Sequence, residues 1–136
     1  TVELAGTVRS LTPKNRDLAE TRLKEIVTGV ATAYNTKAKI RYIRSYPVSI
    51  NHETETTMAA DSAAMLAGED MVDRATAPMM GGEDFAYMLE ARPGSFIFIG
   101  NGDTAGLHHP AYDFNDKVIP WGISYWVKIA ETALSN

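Results

Sequence analysis

Apolar residues recur at helical spacing at Leu23, Ile26, Val27, Val30 and Tyr34, with Arg22, Lys24 and Glu25 between them. That period predicts an amphipathic helix. Thr12-Pro13 marks its start, because Thr accepts a bond as N-cap and Pro suits the first helical position. The opening Thr1 to Leu11 is rich in Val, Leu and Thr and reads as a strand. Lys39 to Tyr46 alternates around Ile40 and Tyr42 and reads as another strand, which Tyr46-Pro47 bends or ends and Val48-Ser49-Ile50 can continue. The first fifty residues therefore read strand, helix, strand, and two strands joined through a helix can pair in parallel or within a mixed sheet.

Asn51 is a favourable N-cap for a second helix over about Glu53 to Leu66, with Met58, Ala59, Met65 and Leu66 as its apolar stripe and Gly68 as its stop. Met71-Val72 fits a short strand, and Ala77 to Gly82 is a loop by its Pro and Gly content. A short helix follows, with Phe85, Met88 and Leu89 expected inward. Arg92-Pro93-Gly94 turns the chain into Ser95 to Gly100, a continuous apolar run of the kind seen in a strand covered on both faces. Asn101 to Asp116 is a long loop with no apolar period, and such loops are often functional. The last helix runs from Ile119 or Pro120 to Leu134, with Ile123, Trp126, Ile129, Ala130 and Ala133 as the expected buried stripe. There is no internal repeat. The pattern as a whole predicts an α/β chain.

Length and composition narrow the function more than the fold. At 136 residues the chain has the size of one ordinary domain. Its formal charge of −4 argues against a nucleic-acid binder, which needs a basic face. No polybasic segment suits anionic lipid, and no apolar run approaches the ~20 residues of a membrane span. Cysteine is absent, which excludes a disulfide framework, a thiol nucleophile and any Cys-based zinc site within these residues. The first residue is Thr rather than Met.

Three clusters could carry chemistry. His108 and His109 are adjacent in the loop after the apolar run, and a neutral imidazole there suits Zn, Mn or Co. Adjacent side chains point differently, so one of them at most faces a given metal; packing histidines are the plainer alternative. A catalytic zinc takes about three protein ligands, the only other histidine is His52, and no H-E-x-x-H pattern occurs. Gly81 and Gly82 let backbone approach a ligand closely, and their N–H groups next to a helix start can hold an anion. Glu83 and Asp84 fall in that helix's first turn, where acidic residues favour the dipole without any further role. Arg9, near the end of the first strand among small residues, could clamp a carboxylate, or simply be an exposed strand-end residue. Asp113, Asn115 and Asp116 read as turn and cap residues.

The order of these segments resembles the C-terminal part of the M20 metallopeptidase superfamily, in its branch of N-acyl-amino-acid amidohydrolases. Leu4-Ala5-Gly6-Thr7-Val8-Arg9 resembles the strand ending G-T-[IV]-R, and Tyr46 to Asn51 the Y-P-x-x-x-N segment. Met80-Gly81-Gly82-Glu83-Asp84-Phe85 resembles the M-G-[GS]-E-D-F signature, and Pro93 to Gly100 the P-G-x-[FY] strand. Leu107-His108-His109-Pro110 with Tyr112 to Asp116 resembles L-H-x-P-x-[FY]-D-F-x-[DE].

The resemblance implies hydrolysis of the amide bond of hippurate-like N-acyl amino acids by a water activated on two divalent metals, Zn, Mn, Co or Ni. It implies that residues 1–51 belong to an α+β lid and 52–136 to an α/β catalytic domain. His108 then matches the last metal ligand, Arg9 the arginine that meets the substrate carboxylate, and Asn51, Gly81 and Gly82 substrate-lining positions. Glu83 and Asp84 would support the site without touching metal or substrate. The family's Cys-x-His pair, its adjacent carboxylates with the general base, and a further His have no counterpart here. The chain is therefore expected to be a C-terminal portion that is inactive alone and completed by the N-terminal half, cytoplasmic, and a homodimer through the lid. It is expected to bind neither nucleic acid nor membrane. The alternative is a non-catalytic remnant or subunit that serves as a dimerisation or partner-binding module.

Overall fold

The computed structural model describes residues 1–135. It contains four α-helices: α1 (Pro13–Ala33), α2 (Glu53–Ala67), α3 (Phe85–Ala91) and α4 (Ile119–Leu134). Short 3-10 turns lie at Glu69–Met71 and Asp116–Val118. The chain divides into two compact units, one of residues 1–50 with 77–92, the other of 51–76 with the segment from Pro93 onward. Among the described residues no helix is long and apolar enough to cross a membrane.

No strand forms among the described residues, so the α/β class and the strand-helix-strand lid are corrected to an all-helical arrangement with long irregular connections. The physical reason is pairing. A strand exists only when its N–H and C=O groups meet a neighbouring backbone. Residues 1–11 and 39–46 find no such ladder, Met71 ends a 3-10 turn, and 95–100 meets no sheet. Many of their apolar side chains consequently stay open, Leu4 being 93% exposed, although Ile40, Tyr42, Phe96 and Ile97 are half-buried.

In the first unit, α1 is bounded as its residues dictate. The Thr12 hydroxyl accepts from the Asn15 N–H at 3.1 Å, and Pro13 occupies the first turn. At the other end Asn35 takes a left-handed φ of 49°. The Asn35 N–H donates to the Thr32 carbonyl at 3.0 Å and the Thr36 N–H to the Ala31 carbonyl at 2.8 Å, a Schellman closure with Asn in the usual glycine position. The apolar stripe forms but is not covered: Leu23, Ile26, Val30 and Tyr34 are all exposed. The helix ties to the following segment through charge. Arg44 reaches Asp17 at 2.8 Å and Glu20 at 2.8 Å, and Glu20 also pairs with Lys24. Helix α3 buries Ala86 and Leu89, the latter 5% exposed, whereas Met88 points to solvent rather than inward.

In the second unit α2 packs on α4. Ala59 and Ser62 are the buried positions of α2, small enough for close approach, and the Ser62 hydroxyl satisfies itself on the Met58 carbonyl at 2.8 Å. Tyr125 is the buried position of α4, and burial pushes its phenol above the usual tyrosine range. The expected stripe of α4 is thus rotated: Ile123 and Trp126 are 60% and 68% exposed. Gly68, at φ 92°, ends α2 as anticipated. Beyond it Arg74 binds Asp61 at 2.8 Å and Glu69 at 2.6 Å, which raises its already high pKa.

The Lys24 and Arg44 partners hold the Glu20 carboxyl below the ordinary glutamate range. A carboxylate whose folded pKa is depressed adds stability above its unfolded pKa and loses it as pH falls through the folded value. Urea unfolding should therefore show Glu20→Gln less stable than the parent at neutral pH. The gap should close on acidification below the ordinary glutamate pKa; an unchanged gap would contradict the pairing.

Candidate functional site

The chemistry-bearing residues divide between the two units. In the first, the extended segment 1–11 delivers Arg9 to the loop ahead of α3. Its Nη1 donates to the Met80 carbonyl at 2.8 Å. Gly82 adjoins this contact: the place a Cβ would occupy lies 3.5 Å from Cδ2 of Tyr46 and 3.9 Å from Nη1 of Arg9. Tyr46 is itself held edge-on by Tyr87, with ring centroids 6.0 Å apart. Gly81 faces open space. Glu83 turns its carboxylate back onto the Phe85 N–H at 3.2 Å and so caps α3, while the Asp84 side chain makes no capping bond. Tyr46 and the Met80 carbonyl were not singled out from sequence. A backbone acceptor carries no residue signature, although Tyr46 could have been found from its place before Pro47.

In the second unit Asn51 is not the N-cap of α2; His52 holds that position, with no side-chain capping bond. The Asn51 carboxamide is instead committed to Phe96. Its Nδ2 donates to the Phe96 carbonyl and its Oδ1 accepts from the Phe96 N–H, both at 2.8 Å. His52 extends the clasp, its N–H donating to the Gly94 carbonyl at 3.0 Å and its Nδ1 accepting from the Gly94 N–H at 3.1 Å. An Asn side chain thus supplies the donor–acceptor pair that a neighbouring strand would have offered to the apolar run.

The two loop histidines differ in their commitments. His109 Nδ1 accepts from the Ala111 N–H at 3.1 Å, and the His109 backbone joins turns to Gly106 and Tyr112. His108 sits at φ 66°, a left-handed conformation that is strained for a non-glycine residue. Its imidazole is exposed and makes no hydrogen bond among the described residues. The loop is braced by Asn101, which donates to the Asp113 carbonyl at 2.9 Å and accepts from the Asn115 N–H at 2.8 Å. Asn101, Thr104, Asp113, Asn115 and Lys117 border a depression of about 420 Å³. The position of Asn101 directly after the apolar run, where Asn favours a turn, was the available signal.

A profile of peptidase family M20/M25/M40 matches residues 5–132. The chain belongs to this family. It is 32% identical to a hippurate hydrolase of Campylobacter jejuni over 123 residues, which is 90% of this chain and 32% of that protein. It is 30% identical to an N-acetylcysteine deacetylase of Bacillus subtilis, across 98% of this chain and 34% of that one. It is 35% identical to an N-acetyldiaminopimelate deacetylase of Leuconostoc mesenteroides, across 100% of this chain and 35% of that one. The chain spans about a third of the length of these relatives. No solved structure matches it.

The M20 family generally uses divalent metals. The residues of this chain do not fit such a centre by themselves. Among the described residues no three His, Asp or Glu side chains come together as a ligand set, whereas a catalytic zinc takes about three protein ligands. Among the described residues of this M20 chain, the His108 imidazole makes no hydrogen bond, whereas those of His52 and His109 do.

Replacing Asn51 by Leu removes both bonds to the Phe96 backbone. For a partly exposed pair the loss should be about 1–2 kcal/mol in urea unfolding. An unchanged midpoint would show the clasp to be dispensable.

Proposed function

We propose that this chain is the C-terminal portion of an amidohydrolase that cleaves the amide bond of N-acyl amino acids by a metal-activated water. The observation that carries the reading is that its relatives share one bond type. Hippurate hydrolase, N-acetylcysteine deacetylase and N-acetyldiaminopimelate deacetylase are each named for removing an acyl group from an amino acid or its close kin. Every such substrate presents a carboxylate beside the amide, and a guanidinium is the side chain suited to grip it in a bidentate fashion.

In this reading Arg9 receives the substrate carboxylate. Support comes from its anchorage on a neutral carbonyl, with no carboxylate paired to it among the described residues. Gly81 and Gly82 line the same loop, and Glu83 supports it by capping α3. Asn51, proposed as substrate-lining by resemblance, acts at least as the tie to Phe96. His108 supplies one metal ligand. Its unpaired ring and strained backbone favour it over His109, whose Nδ1 is occupied. The general base and the remaining ligands for two divalent ions come from the part of the relatives' length that this chain does not span. That part covers the open face of α4, and a second copy against the first unit covers that of α1.

A non-catalytic binding module is the second reading, and the same exposed apolar faces favour it. Hippurate hydrolysis separates the two. The product of the whole reading frame encoding this chain, supplied with zinc, manganese, cobalt or nickel, should release glycine, and the 136-residue chain alone should not. Turnover by the isolated chain would refute the claim that it is incomplete. Absence of turnover by the longer product on any N-acyl amino acid would favour the binding module. In that product His108→Ala should abolish metal content and activity together, with His109→Ala largely active; the reverse result would place the ligand one residue on.

A further inference from the structure

The stretch that carries His108 is built from two consecutive turns that share one residue, His109. Its N–H donates to the Gly106 carbonyl at 3.1 Å and closes the turn Gly106–His109. Its carbonyl accepts from the Tyr112 N–H at 2.9 Å and closes the turn His109–Tyr112. In the first turn His108 stands third, at φ 66°, and Leu107 before it has no positive φ. That is the arrangement of a type II turn, whose third position favours glycine. A histidine there holds a conformation uncommon for a residue with a Cβ, and such a conformation persists only where the surroundings fix it. His108 does not fix itself, since its imidazole makes no hydrogen bond among the described residues.

The second turn supplies the hold. Pro110 occupies its second position, where the ring presets the φ a turn needs, and the residue before a proline is itself confined to extended backbone. His109 is that residue. It stands first in the turn, the place where Asp, Asn and Ser are favoured because their side chains accept from the N–H two residues on. The His109 ring does the same with another atom: Nδ1 accepts from the Ala111 N–H at 3.1 Å. Asn101 closes the neck of the loop on Asp113 and Asn115, which bounds the loop without fixing any one φ inside it.

We propose that His109 is the positioning residue for His108: its ring is the side-chain acceptor of an Asx-type turn, and the turn so fixed keeps the preceding one closed with His108 in the left-handed conformation. The two adjacent histidines thus divide the work. One presents an open imidazole, and the other sets the backbone that presents it. The ligand role of His108 rests on the function proposed above; the pair of turns does not.

The test uses the product of the whole reading frame encoding this chain, treated with a chelator so that no bound ion braces the loop. Two signals are read by NMR. One is the exchange protection of the amide at position 109, corrected for intrinsic rates. The other is the strong amide–Hα Overhauser contact within residue 108 that a left-handed φ produces. The parent and His109→Asn, which keeps an acceptor for the Ala111 N–H, should show both. His109→Ala should lose about tenfold in protection, the loss expected for one hydrogen bond, and the contact at 108 should weaken. His108→Gly combined with His109→Ala should regain the protection, because glycine takes the third turn position unaided. Circular dichroism checks that each variant keeps its helices, and the asparagine and double variants decide the matter should His109→Ala alone unfold. Parent-like protection in folded His109→Ala, its loss in His109→Asn, or no recovery in the double variant overturns the proposal. Should His108 prove not to bind metal, neither signal changes, and the positioning is judged apart from that reading.

Discussion

Backbone hydrogen bonding closes locally in this chain or scarcely closes at all, and the rest of the structure follows from that. A helix satisfies its own interior N–H and C=O groups and needs only its ends capped. Four segments do so; Thr12 and Asn35 finish the two ends of α1, Gly68 the end of α2 and Glu83 the start of α3. An extended segment must borrow a neighbour. Where none is present, side chains substitute: Asn51 for the backbone of Phe96, Asn101 for that of Asp113 and Asn115. These carboxamides hold irregular backbone in place at isolated points.

Burial obeys the same limit. Ala59, Ala86, Leu89 and Tyr125 are the buried apolar residues among those described. Besides packing, α1 has its Thr12 cap and the ion pairs of Arg44 with Asp17 and Glu20. Ion pairs at a solvated surface are individually weak, so each helix relies on the unit around it.

What the sequence disclosed follows from range. Helix limits were readable because their causes lie within a few residues: Thr12 and Pro13 at the start of α1, Gly68 at the end of α2. The strands were not, because alternation in Lys39 to Tyr46 states a preference for pairing but not a partner. The inward face of α4 was misplaced toward Trp126, since an apolar period marks a face without saying which edge a neighbour covers, and α2 lies against the edge bearing Tyr125. Arg9, Gly82 and His108 were singled out as site candidates by residue type and order. The Arg9 bond to the Met80 main-chain oxygen is set by tertiary placement, whereas the bond between His109 and Ala111 is local.

Both tryptophans of the chain, Trp121 and Trp126, lie on α4, and they are 54% and 68% exposed. Indole emission from this protein consequently reports on a single helix. It has the red-shifted colour of a water-bathed ring and lies open to aqueous quenchers. Any surface that comes to lie over α4 shifts that emission to shorter wavelength, so the helix carries its own optical label for association.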